Sequence, residues 1–306
     1  MTELALAVDL GGTKVEAALV DATGTVVPGS RFRQPTGPDV TPDKLHGALV
    51  QVLRSALEGE EAGGEQTVRG IGVGSAGPVD RGIGAIAPVN MPGLRGMVLA
   101  DAVADAASRA GLAGLPVRLG HDGGCLALAE SWVGATRGAR ASLSIVVSTG
   151  IGGGFILDGR LVTGASGNAG HLGQTHVADG ITLEEVAAGP ASVAWARAQG
   201  WGGATGEELG TAAASGDVVA RAAIERSART VGAALADAAT LVDLDVIAVG
   251  GGFSHVAEDY VDLVGAALRE TAVLPYAAAA RVVRSGLGSD GPLVGAAALV
   301  LQSEAR

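Results

Sequence analysis

The sequence predicts an α/β fold in two lobes, and three observations carry that prediction. A chain of 306 residues exceeds one ordinary core and suits two units of roughly 100–200 residues each. One local grammar, strand, glycine turn, strand, occurs twice, once near residue 10 and again near residue 150. Between and after these hairpins, strand-like apolar runs alternate with Ala-rich segments of helical period, as layered α/β proteins require.

The first hairpin spans Leu4 to Val27: a strand, a Gly-Gly-Thr turn, a second strand over Lys14–Val20, a turn at Asp21-Ala22-Thr23-Gly24 and a third strand. Leu143 to Thr163 repeats it, with Leu143–Val147, the turn Thr149–Gly154, Phe155–Leu157, an Asp158-Gly159 turn and Leu161-Val162. Helical patterns cover about Asp43–Glu58, Leu99–Ala110, Gly123–Val133, Leu183–Gln199 and Asp217–Thr240. A strand at Asp245–Val249 follows, then Gly250-Gly251-Gly252, a helix from about Val256, and a closing helix over Gly291–Leu301 that would cross back to the first lobe. The expected division is 1–118 plus 291–306 for the first lobe and 119–290 for the second.

Composition narrows the function. A formal charge of −11 argues against non-specific nucleic-acid or anionic-membrane binding, which depend on clustered Lys and Arg. Apolar residues are spread through the chain, without a run of about 18 that could span a bilayer. The strand pattern begins at once after Met1, with no basic leader, so a cytoplasmic protein is expected. Cys125, the single cysteine, excludes an internal disulfide or a cysteine-rich zinc cluster.

Two hairpin turns facing one another can hold a polyphosphate between backbone N–H groups. The turn Asp9-Leu10-Gly11-Gly12-Thr13-Lys14 contains one of only two lysines in the chain. Asp9 ends the first strand beside Gly11, Gly12 and Thr13, and as an anion next to phosphate it calls for a cation; Mg²⁺ held through water suits it. Thr149 and Gly150 offer a hydroxyl and bare amides at the matching place in the second turn. Gly250, Gly251 and Gly252 would let backbone approach a base or ribose closely. These turns join strand to strand and lack the G-x-x-x-x-G-K-[ST] pattern, so a P-loop is not supported. Gly72-Val73-Gly74-Ser75-Ala76-Gly77 spells G-x-G-x-x-G, yet Pro78 follows and no long helix begins there, against a dinucleotide site. Asp122 follows the strand Val117–Leu119 and precedes a helix. It is equally placed to take a hydroxyl proton during phosphoryl transfer or to cap that helix.

Taken in order, these segments resemble the ROK group (repressors, open reading frames and sugar kinases) of the actin, Hsp70 and hexokinase superfamily, over nearly the whole chain. Asp9–Lys14 matches the group's first phosphate motif, Ser148–Gly154 its second and Gly250–Gly252 its adenosine segment. Gly74–Asp80 is similar to its Gly-Pro-Gly-Pro-Val-Asp segment, and Pro88–Leu94 to its Asn-Leu-Pro-Gly-Trp sugar loop. The resemblance implies a two-lobed actin-like ATPase (ribonuclease H-like) fold with an interlobe cleft that sugar binding closes. It implies a glucokinase-like sugar kinase using ATP and Mg²⁺, with Asp122 as general base toward a hexose hydroxyl, the 6-OH, and a homodimeric state. By the same resemblance the substrate residues are Ser75, Ala76, Gly77, Asn90, His121, Asp122, His171 and Glu184.

The sugar side departs from the pattern. His121 replaces an asparagine, His171 the sugar-contacting glutamate and Gln174 the zinc-ligating histidine; the cysteine-rich zinc signature is absent, leaving Glu184 as its surviving glutamate. No zinc is therefore expected, since a structural zinc needs about four N or S ligands. Cys125 reads as a small buried apolar residue, and His46 and His255 as surface residues without a role. The alternative reading is a catalytically silent or sugar-sensing protein. A DNA-reading regulator would need a domain before the first motif, where only eight residues stand before Asp9.

Overall fold

The computed structural model describes residues 2–59 and 66–302. Within it the chain forms two units, one running to Val133, taking in Val162–Ala169 and resuming at Ser289, the other comprising Gly134–Leu161 and Gly170–Gly288. Residues 1, 60–65 and 303–306, assigned to the first lobe by sequence, lie outside the described residues.

In the first unit, β1 (Thr2–Leu10), β2 (Lys14–Asp21), β3 (Phe32–Pro35), β4 (Gln66–Ser75) and β5 (Val117–His121) form one sheet in the order β3-β2-β1-β4-β5. The β1–β2 and β2–β3 pairs are antiparallel, while β1–β4 and β4–β5 are parallel. Leu4 to Leu10 are buried without a break, as a central strand covered on both faces must be. Helices α1 (Pro42–Glu58) and α2 (Leu99–Arg109) cover one face with apolar stripes such as Leu45, Leu49 and Leu53. On the other, Ala5, Ala7 and Ala18 meet Leu293, Ala296 and Ala297 of the closing helix Gly291–Leu301.

Small residues let that helix approach. A Cβ on Gly72 of β4 would stand 1.8 Å from the Ala296 carbonyl oxygen, and one on Gly295 would stand 2.0 Å from the Cys125 carbonyl oxygen. The first glycine of the G-x-G-x-x-G stretch thus serves helix-on-sheet packing. Because the closing helix packs on α3 (Asp122–Trp132), the first unit extends to Val133, past the boundary placed at residue 118 by sequence.

The third strand is displaced from its expected place after Gly24. Asp21 Oδ1 accepts the N–H groups of Thr23 and Thr25, closing a turn, and only an isolated bridge, Val20 to Val26, follows. Pro28 has no N–H for a ladder, and the Ser30 hydroxyl oxygen accepts the Leu19 N–H instead at 3.1 Å. Pairing resumes only at Phe32.

The second unit repeats the topology. Its strands β6 (Ala141–Val147), β7 (Ile151–Leu157), β8 (Arg160–Leu161), β9 (Val246–Gly250) and β10 (Arg281–Arg284) run in the order β8-β7-β6-β9-β10, antiparallel through β6–β7–β8 and parallel through β6–β9–β10. Asp158 and Gly159, both at positive φ, make the two-residue hairpin turn read from sequence.

The expected helix over 183–199 is two helices, Leu183–Ala187 and α4 (Gly189–Ala198), broken at Ala188, whose extended backbone precedes Gly189-Pro190. Sequence periodicity missed α5 (Gly206–Ala214), which Thr205 and Glu208 start with a reciprocal capping box. Helix α6 (Val218–Val242) buries Ile224, Val231 and Leu235 against α7 (Tyr260–Thr271) and the sheet. No helix among the described residues is long and apolar enough to cross a membrane.

Candidate functional site

Sheet register brings the first unit's chemistry to one edge. Leu10 lies opposite Ser75, and Ser75 opposite His121, so β1, β4 and β5 end level at their carboxyl ends. Open α/β sheets bind ligands at that edge. Asp9 stands there just before the turn at Gly11, Gly12 and Thr13. The turn is braced by Gly11 N–H donating to the Lys14 carbonyl at 2.9 Å and by Thr36, whose N–H donates to the Thr13 carbonyl and whose hydroxyl donates to that of Gly11, each at 2.9 Å. Asn90 lies against Gly12, on which an added Cβ would be 3.7 Å from that of Asn90.

Asp9 is only 8% exposed. Burial, then the negative charge of Asp122, push its carboxyl up to about 7, against the smaller opposing pull of Lys14. A carboxylate so placed lacks counter-charge. Asp122, by contrast, opens α3 with its side chain 58% exposed and its Oδ1 accepting the Gly123 N–H at 2.7 Å.

His121 holds that helix start. Its Nδ1 accepts the Gly124 N–H at 3.2 Å, which fixes the proton on Nε2, and Nε2 donates to the Ala169 carbonyl at 2.9 Å. The ring is 3% exposed with both nitrogens engaged by backbone. Ser75 is fully buried, its hydroxyl donating to the Ala76 carbonyl, and Ala76 N–H donates to Leu10 at 3.0 Å, which stitches Ser75-Ala76-Gly77 beside the end of β1. Lys14 turns to the buried Glu16 carboxylate, which also accepts from Arg31. Cys125 lies under this edge, buried, with its thiol pushed up by that burial.

In the second unit the β6–β7 turn and the end of β9 meet. Gly250 pairs in register with Val146, and the Ser148 N–H donates to the Gly150 carbonyl at 2.9 Å. Gly251, at φ +93°, packs so close to β6 that a Cβ would be 2.6 Å from the Val147 carbonyl oxygen. A cavity of about 810 Å³ opens here, walled by Ser148, Thr149, Gly189, Gly206, Gly252 and Phe253 among others. Of the three expected adenosine glycines, Gly252 reaches the wall, while Gly250 and Gly251 seat the chain behind it. Sequence reading missed the wall supplied by α4 and α5. His255, read as a surface residue, also lines this cavity, with its Nδ1 3.2 Å from Arg284.

Glu184 braces the same turn: its Oε2 accepts the Ile151 N–H at 2.8 Å, and a Cβ on Gly150 would be 2.5 Å from that oxygen. Gln174 donates to Glu184 Oε1 at 3.3 Å. His171 lines a second cavity of about 680 Å³, against α6. Among the described residues, no group of three or more His, Cys, Asp or Glu is arranged to hold a metal.

The chain is 33% identical over 305 residues to N-acetylmannosamine kinase of Salmonella heidelberg strain SL476, covering 96% of this chain and 97% of that one. It is 30% identical to glucokinase of Streptomyces coelicolor, covering 98% of each. A solved ROK family glucokinase from Streptomyces griseus, in complex with glucose and AMPPNP, superposes with a TM-score of 0.82 at 30% identity over 98% of this chain and all of that one. ROK hexokinase from Thermus thermophilus gives 0.79 at 30% identity, with 99% of each covered. The fold is thus the two-lobed, actin-like ATPase fold. The ROK family profile matches residues 5–303, and the chain belongs to the ROK family.

Proposed function

We propose that this protein is a sugar kinase that transfers the γ-phosphoryl group of ATP to a hydroxyl of a hexose or N-acylated hexosamine, the primary 6-OH. The observation that carries the reading is the exposed Asp122 carboxylate at the level carboxyl edge of β1, β4 and β5, beside the glycine turn that follows Asp9. Both kinds of sugar named for the relatives fit a single hydroxyl-directed base.

Asp122 takes the proton of the sugar hydroxyl as that oxygen bonds to the γ-phosphorus and the bond to the β-phosphate oxygen breaks, releasing ADP. The Gly123 N–H keeps Oδ1 engaged and leaves Oδ2 to accept. His121 acts through Asp122, fixing the first turn of α3, so that the sugar-side asparagine it replaces has no direct substitute in the ring. The second unit holds the donor: Thr149 and the amides around Gly150 take phosphate oxygens, and the cavity walled by Gly252 and Phe253 takes the nucleoside.

Asp9 fits a magnesium ion carried by the nucleotide, because a single buried carboxylate short of counter-charge, with phosphate oxygens and water completing the set, is a donor set Mg²⁺ accepts. When bound, the ion neutralises phosphate charge. Gln174, bonded to Glu184, stands where a zinc-ligating histidine would be needed, so we propose no structural zinc.

ADP release coupled to oxidation of NADH, run over hexoses and N-acylated hexosamines, tests the reading. Sugar-stimulated turnover should fall by about 10²–10⁴ in Asp122→Asn while the sugar KM changes little. Absence of sugar-stimulated turnover, or equal turnover by that variant, would overturn it.

A further inference from the structure

We infer that Arg31 is a positioning residue for the phosphoryl donor: by holding the buried Glu16 carboxylate on its own, it lets Lys14 leave that carboxylate and turn to the donor's phosphates. The inference rests on the proposed kinase function, with Lys14 serving the donor's phosphates as the resemblance of Asp9–Lys14 to a phosphate motif implies.

Glu16 on β2 is 3% exposed yet ionised. Burial alone would raise its carboxyl, and hydrogen bonds from Arg31 and Lys14 outweigh that and hold it below the usual range. Two cations therefore bond one buried carboxylate, and Arg31 also pairs with the more exposed Asp290. The two are not equivalent. Arg31 grips Glu16 through both oxygens, Nε to Oε1 at 2.9 Å and Nη2 to Oε2 at 3.3 Å, in the fork geometry that gives specificity as well as attraction. Its guanidinium is anchored from behind, with Nη2 donating to the Ser289 carbonyl at 2.9 Å and Nη1 bonded to Asp290, at the start of the closing helix. Lys14 has a single bond to Glu16, a flexible stem and a side chain 37% exposed.

A lysine that follows a phosphate turn but is spent on a buried carboxylate neutralises no phosphate. Lys14 can move only if Glu16 keeps a counter-charge, since a buried carboxylate left unpaired is costly. Arg31 is the group that stays. Without it, Lys14 becomes the sole partner of Glu16 and is held back from the donor.

Calorimetric titration of the full chain with AMPPNP and Mg²⁺, together with steady-state kinetics, tests this. Arg31→Ala should weaken AMPPNP binding and raise the ATP KM by about 10- to 100-fold, with the sugar KM within about twofold of wild type. Adding Glu16→Gln to Arg31→Ala should recover binding to within about threefold of Glu16→Gln alone, because a neutral amide no longer competes for Lys14. A merely structural clamp predicts the reverse, a double variant no better than Arg31→Ala, and that result overturns the inference, as does Arg31→Ala binding like wild type. Should Arg31→Ala fail to fold, NMR of the wild type decides: with two lysines in the chain, the Lys14 ε-methylene signal should shift on AMPPNP addition. Turnover with an unmoved Lys14 signal refutes this inference alone, whereas a wild type that neither binds AMPPNP nor turns over sugar refutes it and the kinase reading together.

Discussion

Asp9→Asn should make the ligand-free protein more stable at pH 8 while abolishing sugar phosphorylation. The carboxyl titrates at about 7 in the fold against an ordinary value of 3.8, because it is buried and faces Asp122. The sign follows from proton counting. Below pH 4 the group is protonated in both folded and unfolded chains and contributes nothing. Between about pH 4 and pH 7 the unfolded chain has released a proton that the folded one retains, so stability falls as pH rises. Above pH 7 the penalty is complete. At about 1.4 kcal/mol per tenfold, the gap between 3.8 and about 7 corresponds to roughly 4 kcal/mol at most. Asparagine has the same shape and no charge to bury. Urea unfolding of both proteins without nucleotide, followed by circular dichroism from pH 4.5 to 8, should show the variant's advantage growing with pH and levelling near pH 7. Equal stability at every pH, or a variant less stable at pH 8, would refute the argument. AMPPNP with Mg²⁺ should in turn stabilise the wild type more than the variant, since it supplies the counter-charge Asp9 lacks.

Three other outcomes are expected. Gly72→Ala forces a methyl to within 1.8 Å of the Ala296 carbonyl oxygen, so the closing helix must shift; overpacking of about 1–3 kcal/mol should lower the thermal midpoint by roughly 3–10 °C. His121→Ala removes the cap on Gly124 and the bond to Ala169, which should cost about 1–2 kcal/mol in urea unfolding. Its kcat should fall more than its sugar KM rises, and a rise in sugar KM alone would return the ring to direct sugar contact. Cys125→Ala should retain most activity, and the native thiol should resist iodoacetamide until the protein unfolds, since burial and neighbouring Asp122 hold it as the thiol.

What the sequence made legible was backbone punctuation. Gly11-Gly12, Thr149-Gly150 and Gly250–Gly252 mark chain reversals, and such marks are local: a turn needs its own residues whatever packs around it. The doubled hairpin was readable for the same reason. Illegible were facts that depend on a third dimension. Pro28 and the Asp21 turn displaced the third strand because a side chain eleven residues away, that of Ser30, satisfied Leu19. Helix α5 was hidden because its single buried residue, Leu209, leaves almost no periodic stripe to detect. Pro78 told against a dinucleotide site at Gly72, but what that glycine does instead needed Ala296, more than two hundred residues on.

The candidate site divides along the same line. Asp9 and Asp122 each stand at a strand end, a place a sequence can mark. The partners of His121 and Lys14 are not so marked, because a motif states where a side chain starts and not what it reaches. Matched by position, His121 inherits a sugar contact; matched by hydrogen bonds, it belongs to the backbone of α3 and Ala169. Lys14 likewise inherits a phosphate, while its ammonium rests on Glu16. The physical difference is burial: Glu16 and the His121 ring are each 3% exposed, and a buried polar group takes its partners from whatever the fold brings near. Substitutions at the exposed Asp122 should therefore read out as chemistry, whereas those at His121 and Glu16 should read out first through their neighbours.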